Sequence, residues 1–166
     1  MDDNPRIYCD MDGVLCDFAK GVENLFGISI TKWQSLSKKD RWDPIKQDGK
    51  FWEYLPWTPS GRALWGYIRK FDPHILSAYV EETFDPSCIP GKTAWIRRNL
   101  GLGSSARINL VRRSQKRLYA KANGKPAILI DDYVKNTNEF IAAGGIGITF
   151  QNHRQAITSL KRHGSF

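Results

Sequence analysis

The chain has 166 residues, 41% of them hydrophobic and 25% charged, which fits one globular domain with an ordinary core and argues against a disordered or fibrous protein. Its net charge of +8 favours anionic partners: phosphate esters, nucleotides or nucleic acid. No apolar run approaches the roughly 18 residues of a membrane span, and the start MDDNP is unlike a secretory leader, so a cytoplasmic protein with no membrane partner is expected.

In chain order, RIYCD predicts a first strand that ends at Asp10, with Asp12 and Gly13 just beyond it. FAKGVENLFG predicts a helix. The stretch TKWQSLSKKDRWDPIKQDGKFWEYLPW is polar yet carries Trp33, Trp42, Phe51, Trp52, Tyr54 and Trp57 and offers no good strand. Residues 17–57 therefore read as a small helical cap inserted after the first strand, leaving 1–16 and 58–166 as the core domain. GRALWGYIRKF places Leu64, Tyr67, Ile68 and Phe71 on one helical face, and HILSA is a second strand carrying Ser77. GKTAWIRRNLG predicts a helix closed by Gly101, and INLV a third strand. SQKRLYAKANG predicts a helix from an N-cap at Ser114 to a terminator at Gly124. AILID is a fourth strand, YVKNTNEFIAAGG a helix with Val134, Thr137 and Ile141 in register, and GIGITF the fifth strand.

Nearly wholly apolar strands alternating with helices predict an α/β fold, a Rossmann-like parallel sheet covered on both faces. Such sheets bind ligands beyond the carboxyl ends of their strands. Asp10, Ser77 and Asp131 all fall at such ends. Cys9, Cys16 and Cys88 have no metal or disulfide spacing and are expected as free thiols. His74, His153 and His163 form no ligand pattern; His74 reads as a strand-end residue.

Residues i and i+2 of an extended strand share a side, so Asp10 and Asp12 would enter one small space. Two close carboxylates share a proton, split their pKa values or recruit a cation. Gly13 permits a sharp turn there, and oxygen ligands around an open site suit Mg2+. Asp131 and Asp132 bring a second acidic pair to the same sheet edge. A phosphate ester at such a site also needs donors and cations, for which Ser77 and Lys116 are the candidates, with Lys121 and Lys125 as rivals to Lys116.

DMDGVL, followed by ILSA, a lysine and ILIDD, resembles the four motifs of the haloacid dehalogenase superfamily of phosphohydrolases. DMDGVLCDF and FWEYLPWTPSGRALWGYI are similar to its 5'(3')-deoxyribonucleotidases. The resemblance implies Asp10 as nucleophile, Asp12 as general acid and base, and Ser77 and Lys116 on the phosphoryl group. It also implies Mg2+ held by Asp10, the Asp12 carbonyl and the Asp131–Asp132 pair, Asp132 first. Phe18 would stack on the base, with Trp33, Trp42 and Trp52 completing an aromatic slot. Ala78 after Ser77, and Tyr133 after the paired acids, depart from the family's pattern.

The acid-free interval between Asp85 and Asp131, with its basic region 92–125, is either a nucleic-acid surface or a solvated basic face. The expected function is a Mg2+-dependent phosphatase of (deoxy)nucleoside monophosphates, its partner a small nucleotide and a homodimer admissible. A 3'-end polynucleotide phosphatase is one alternative, and a catalytically silent nucleotide- or nucleic-acid-binding protein of the same fold is another.

Overall fold

A computed structural model of the chain describes residues 3–166. Its strands are β1 (Ile7–Cys9), β2 (His74–Ala78), β3 (Ile108–Val111), β4 (Lys121–Ala122), β5 (Lys125–Pro126), β6 (Ile128–Asp131) and β7 (Ile146–Thr149). Its helices are α1 (Phe18–Phe26), α2 (Ile30–Gln34), α3 (Lys38–Asp48), α4 (Gly61–Ile68), α5 (Cys88–Leu100), α6 (Val134–Ala142) and α7 (His153–Leu160).

Five strands form one parallel sheet in the order β3-β2-β1-β6-β7. Alternate strand residues face opposite ways, and the packing follows that rule. Ile7, Cys9, Ile75, Ile128, Ile130 and Ile148 join a large apolar cluster with Leu64 and Ile68 of α4, Trp95 and Ile96 of α5, and Ala156 and Leu160 of α7. Tyr8, Leu76 and Leu129 point the other way, against Phe140 of α6 and Ala120. With both faces covered, the strands can be apolar throughout, as their sequences are.

The chain runs outward from β1 to β2 and β3, then returns to the opposite side of β1 for β6 and β7. The strand order therefore reverses between β1 and β6, where open α/β sheets present a crevice.

Helices α1 to α3 occupy the tryptophan-rich insertion. Each opens on a side-chain cap: Asp17, Ser29 and Ser37 accept from the backbone N–H three residues on. Trp33, Phe51, Trp52 and Leu55 of this region belong to the same large apolar cluster as the sheet.

One predicted helix is corrected. Over Ser114–Gly124 the chain makes a 3-10 turn, Arg113–Tyr119, and then the antiparallel hairpin β4–β5. Asn123 and Gly124, with φ of 53° and 75°, form its tip. An Asn-Gly pair supplies the two left-handed residues that a tight hairpin needs, so Gly124 turns a hairpin and Ser114 caps nothing. Among the described residues no helix is long and apolar enough to cross a membrane.

Candidate active site

Strand β1 ends at Cys9, and Asp10 keeps its place in the sheet by donating its N–H to Ile130 O at 2.9 Å. The backbone then turns. Met11 O accepts from the N–H groups of Val14, Leu15 and Cys16 at 2.8–3.0 Å, and Gly13 takes φ of +81°. A Cβ at Gly13 would lie 2.0 Å from Asp132 Oδ2, so only glycine lets the first acidic loop nest against the second.

Because the chain bends after Asp10, Asp10 and Asp12 each meet a separate lysine. Lys116, in the 3-10 turn after β3, sends Nζ to Asp10 Oδ1 at 3.0 Å and to Asp131 Oδ2 at 2.7 Å. All three residues are buried. Asp131 is held further by Asn136 Nδ2 at 3.0 Å and by the Tyr133 N–H at 2.9 Å. Lys121 and Lys125 take no part: both are exposed, and Lys125 pairs with Asp3.

The second cation is Lys92 on α5. Its Nζ lies 2.7 Å from Asp12 Oδ2, 3.0 Å from Ser77 Oγ and 2.7 Å from Ala78 O. An ammonium has three protons to donate, and each has an acceptor here. Lys92 is fully buried, with the Trp52 ring 5.0 Å from its Nζ. Trp52 in turn donates Nε1 to buried Asp85 at 2.6 Å.

In the sequence Lys92 is one member of the basic region 92–125. The signal was present nonetheless. Cys88, Lys92, Trp95 and Ile96 share the buried stripe of α5, and a lysine on a helix's apolar stripe needs a buried partner.

Ligand oxygens of Asp10, Asp131 and Asp132 lie within 4.8 Å of one another. Burial pushes the Asp10 carboxyl up to about 8, with Lys116 opposing and the neighbouring acids adding to the rise. Burial and Asp131 likewise raise Asp132 to about 6. One lysine thus faces three crowded carboxylates, and among the described residues no cation pairs with Asp132. A hard divalent cation with oxygen ligands fits that deficit, and Mg2+ needs only a few protein oxygens.

Beside these acids opens a cavity of about 530 Å3. Asp12, Gly13 and Asp132 border it, Phe18, Trp33, Trp42 and Trp52 supply its aromatic walls, and Asp17, Gln34 and Arg41 its polar ones. Phe18 packs edge-on to Trp33 at 5.3 Å and tilted against Trp52 at 5.6 Å. Trp33 and Trp52 are almost wholly buried, so these rings build the cap's own core as well as the cavity.

The acid-free interval of sequence is not acid-free in space. Arg98, Arg107, Arg112, Arg113 and Lys125 pair with Glu53, Asp72, Glu81, Glu139 and Asp3.

No family model matches the chain. A protein of Vibrio phage KVP40 named "Putative 5'(3')-deoxyribonucleotidase" is 30% identical over 134 residues, 81% of this chain and 69% of the relative. The L-2-haloacid dehalogenase of Xanthobacter autotrophicus superposes with a TM-score of 0.54 at 11% identity, covering 87% of this chain and 76% of that one. A hydrolase of Streptococcus pneumoniae TIGR4 gives 0.51 at 12% identity, with 95% and 98% covered. At these identities the two structures establish the fold alone.

Proposed function

Since the chain belongs to the haloacid dehalogenase superfamily of hydrolases, we propose that it is a Mg2+-dependent phosphatase that hydrolyses deoxyribonucleoside monophosphates through an aspartyl-phosphate. The observation that carries this reading is the pairing of each acid of the DMDG loop with its own buried lysine at the mouth of an aromatic cavity.

In this reading Asp10 attacks phosphorus and the ester oxygen leaves as an alcohol. Lys116 beside Asp10 opposes the rise that burial imposes on the attacking carboxyl and orients it, and with Ser77 it attracts the phosphoryl oxygens. Asp12 gives the leaving oxygen its proton. Its Oδ2 is held by Lys92, while Oδ1 has no hydrogen-bond partner among the described residues. Water then attacks the aspartyl-phosphate, Asp12 recovers a proton from it, and phosphate departs with Asp10 regenerated. Asp10, Asp132 and the Asp12 carbonyl would hold Mg2+, with Asp131 behind them; bound there, the ion supplies charge neutralisation on the phosphoryl oxygens.

The superfamily also contains dehalogenases, and Asp12 separates the two chemistries. An alcohol leaving from phosphorus needs a proton donor, whereas a halide does not. The aromatic cavity supports a substrate with a flat ring, and the phage relative's name agrees with a nucleotide.

The test is phosphate release, with Mg2+, from deoxyribonucleoside monophosphates, sugar phosphates and 3'-phosphorylated oligonucleotides. Mononucleotides should be the best substrates and Asp10→Asn inactive. Faster turnover of the oligonucleotides, falling steeply with salt, would transfer the reading to a polynucleotide 3'-phosphatase. Inactivity on every ester would leave a binding protein.

A further inference from the structure

Most arginines of the basic region 92–125 face carboxylates, but a second basic surface has none. It lies where α4, with the 3-10 turn Arg69–Phe71 that continues it, packs beside α7. The two helices run the same way. Ser60 before α4 meets His153 at the start of α7, with Oγ and Nδ1 3.2 Å apart, and Tyr67 near the end of α4 meets Lys161 just past α7. Arg62 and Arg69 are two helical turns apart, as are Arg154 and Lys161, so each pair shares a face about 10 Å long. These four, with Lys70 and Arg162, are exposed, and among the described residues none has a carboxylate partner. The segments 58–71 and 150–166 that build the surface contain no acidic residue.

Aromatic rings position three of these cations. Lys70 Nζ lies 4.8 Å from the Tyr67 centroid and 4.9 Å from that of Phe71. Lys161 Nζ lies 5.8 Å from Tyr67, and the Arg62 guanidinium carbon 5.0 Å from Trp57. Two ammonium groups therefore converge on one ring with no carboxylate from either segment beside them, a repulsion that an anionic partner would relieve. Cations repeated along two helices match a chain of phosphates better than a single one. Ala63, Gly66 and Thr158, exposed among them, are small and let a backbone approach. Trp57, Tyr67 and Phe71 are half-buried beneath the cations, so no ring here stands free to stack on a base. An anionic bilayer would also attract this face, but none of the large exposed apolar side chains lies on α4 or α7 to insert into one. Neither helix lines the catalytic cavity. We propose that the α4–α7 face binds the sugar-phosphate backbone of nucleic acid, without base recognition, as a site separate from that cavity. The inference does not rest on the nucleotidase reading.

The test is the fluorescence anisotropy of a labelled DNA duplex of mixed sequence, measured in EDTA across a salt series. Binding should be about micromolar at low salt, and log Kobs should fall against log salt with a slope of about −4 to −5, as about five phosphate contacts give. Lys70→Gln with Lys161→Gln should weaken binding about tenfold and reduce the slope by about 2. Lys39→Gln with Lys46→Gln, at exposed positions of α3, removes the same net charge and should change neither. Circular dichroism reports the folding of each variant. Absence of binding by the unaltered protein at low salt, or equal weakening by the α3 pair, would overturn the inference. So would discrimination between two duplexes of unrelated sequence, or capture by phosphatidylcholine–phosphatidylserine vesicles without binding to DNA. Because binding is read without turnover, inactivity on every phosphate ester would remove the nucleotidase reading and leave this one standing.

Discussion

Lys92 Nζ lies 2.7 Å from Asp12 Oδ2 and 3.0 Å from Ser77 Oγ, so one buried ammonium ties the DMDG loop to the end of β2. Removing it frees Asp12 to swing and leaves Ser77 and Ala78 O without their donor. Lys92→Met should lower kcat by about 10²-fold, the scale seen when one preorganised donor is lost, and destabilise the fold by about 2–3 kcal/mol. Steady-state kinetics beside urea denaturation check both. Unchanged kcat with only reduced stability would make Lys92 a structural residue.

The Gly13–Asp132 contact predicts a different defect. Alanine at position 13 meets a backbone of φ +81° and a carboxylate oxygen 2.0 Å from its Cβ. The strain costs about 1–2 kcal/mol, and the larger effect falls on Asp132, which must move. Gly13→Ala should need far more Mg2+ for half-maximal activity while keeping its circular dichroism. Wild-type Mg2+ dependence would show that the displaced acid is not a ligand.

Asp132 itself gives a crossing prediction. Its folded pKa, about 6, stands above the ordinary 3.8. The folded state therefore binds more protons than the unfolded between these values, and metal-free stability falls as pH rises through that window. Asp132→Asn removes the penalty. At pH 7 it should raise Tm in EDTA, yet gain less than the wild type from added Mg2+, where saturation at a hundredfold Kd contributes about 2.7 kcal/mol. Differential scanning fluorimetry in the two buffers checks it, and a lower Tm in EDTA would contradict it.

At the opposite edge of the sheet, His74 has its pKa lowered to about 4, first by burial and then by Arg6 and Arg107. Unfolded, it titrates near 6.5. The unfolded state thus binds more protons between about 4 and 6.5, and stability is lost as pH falls through that range. His74→Phe keeps the edge-on contact with Tyr8, now 5.5 Å between centroids. It should be relatively more stable than the wild type at pH 4.5 than at pH 7.5, by about 1–2 kcal/mol once solvent screening is allowed for. Parallel denaturation curves at the two pH values would exclude His74 as the source.

The strands and most helices were legible in the sequence because each carries its own period and its own terminator. The segment 113–126 was not: its helix-like run ends in Asn123-Gly124, and a hairpin of two-residue strands leaves almost no alternation to read. Asp10, Asp12, Asp131 and Asp132 announced themselves as charge where apolar strands end. Lys116 and Lys92 look alike as two members of a basic stretch, yet tertiary packing sends one to Asp10 and the other to Asp12. Their division of labour is a property of how α5 and the 3-10 turn pack on either side of β1.

The strand order has a consequence for how the protein comes into being. β1 is made first but lies at the middle of the sheet, between β2 and β6. Asp10 reaches its backbone partner, Ile130 O, only once β6 has been made. A ribosome-bound fragment lacking β6 therefore displays an unpaired edge on β1 and an unfinished cluster of charges, with Lys116 waiting for Asp131. Closing the candidate site requires the pairing of β6 with β1, the kind of long-range contact that makes parallel sheets slow to fold and vulnerable while they do.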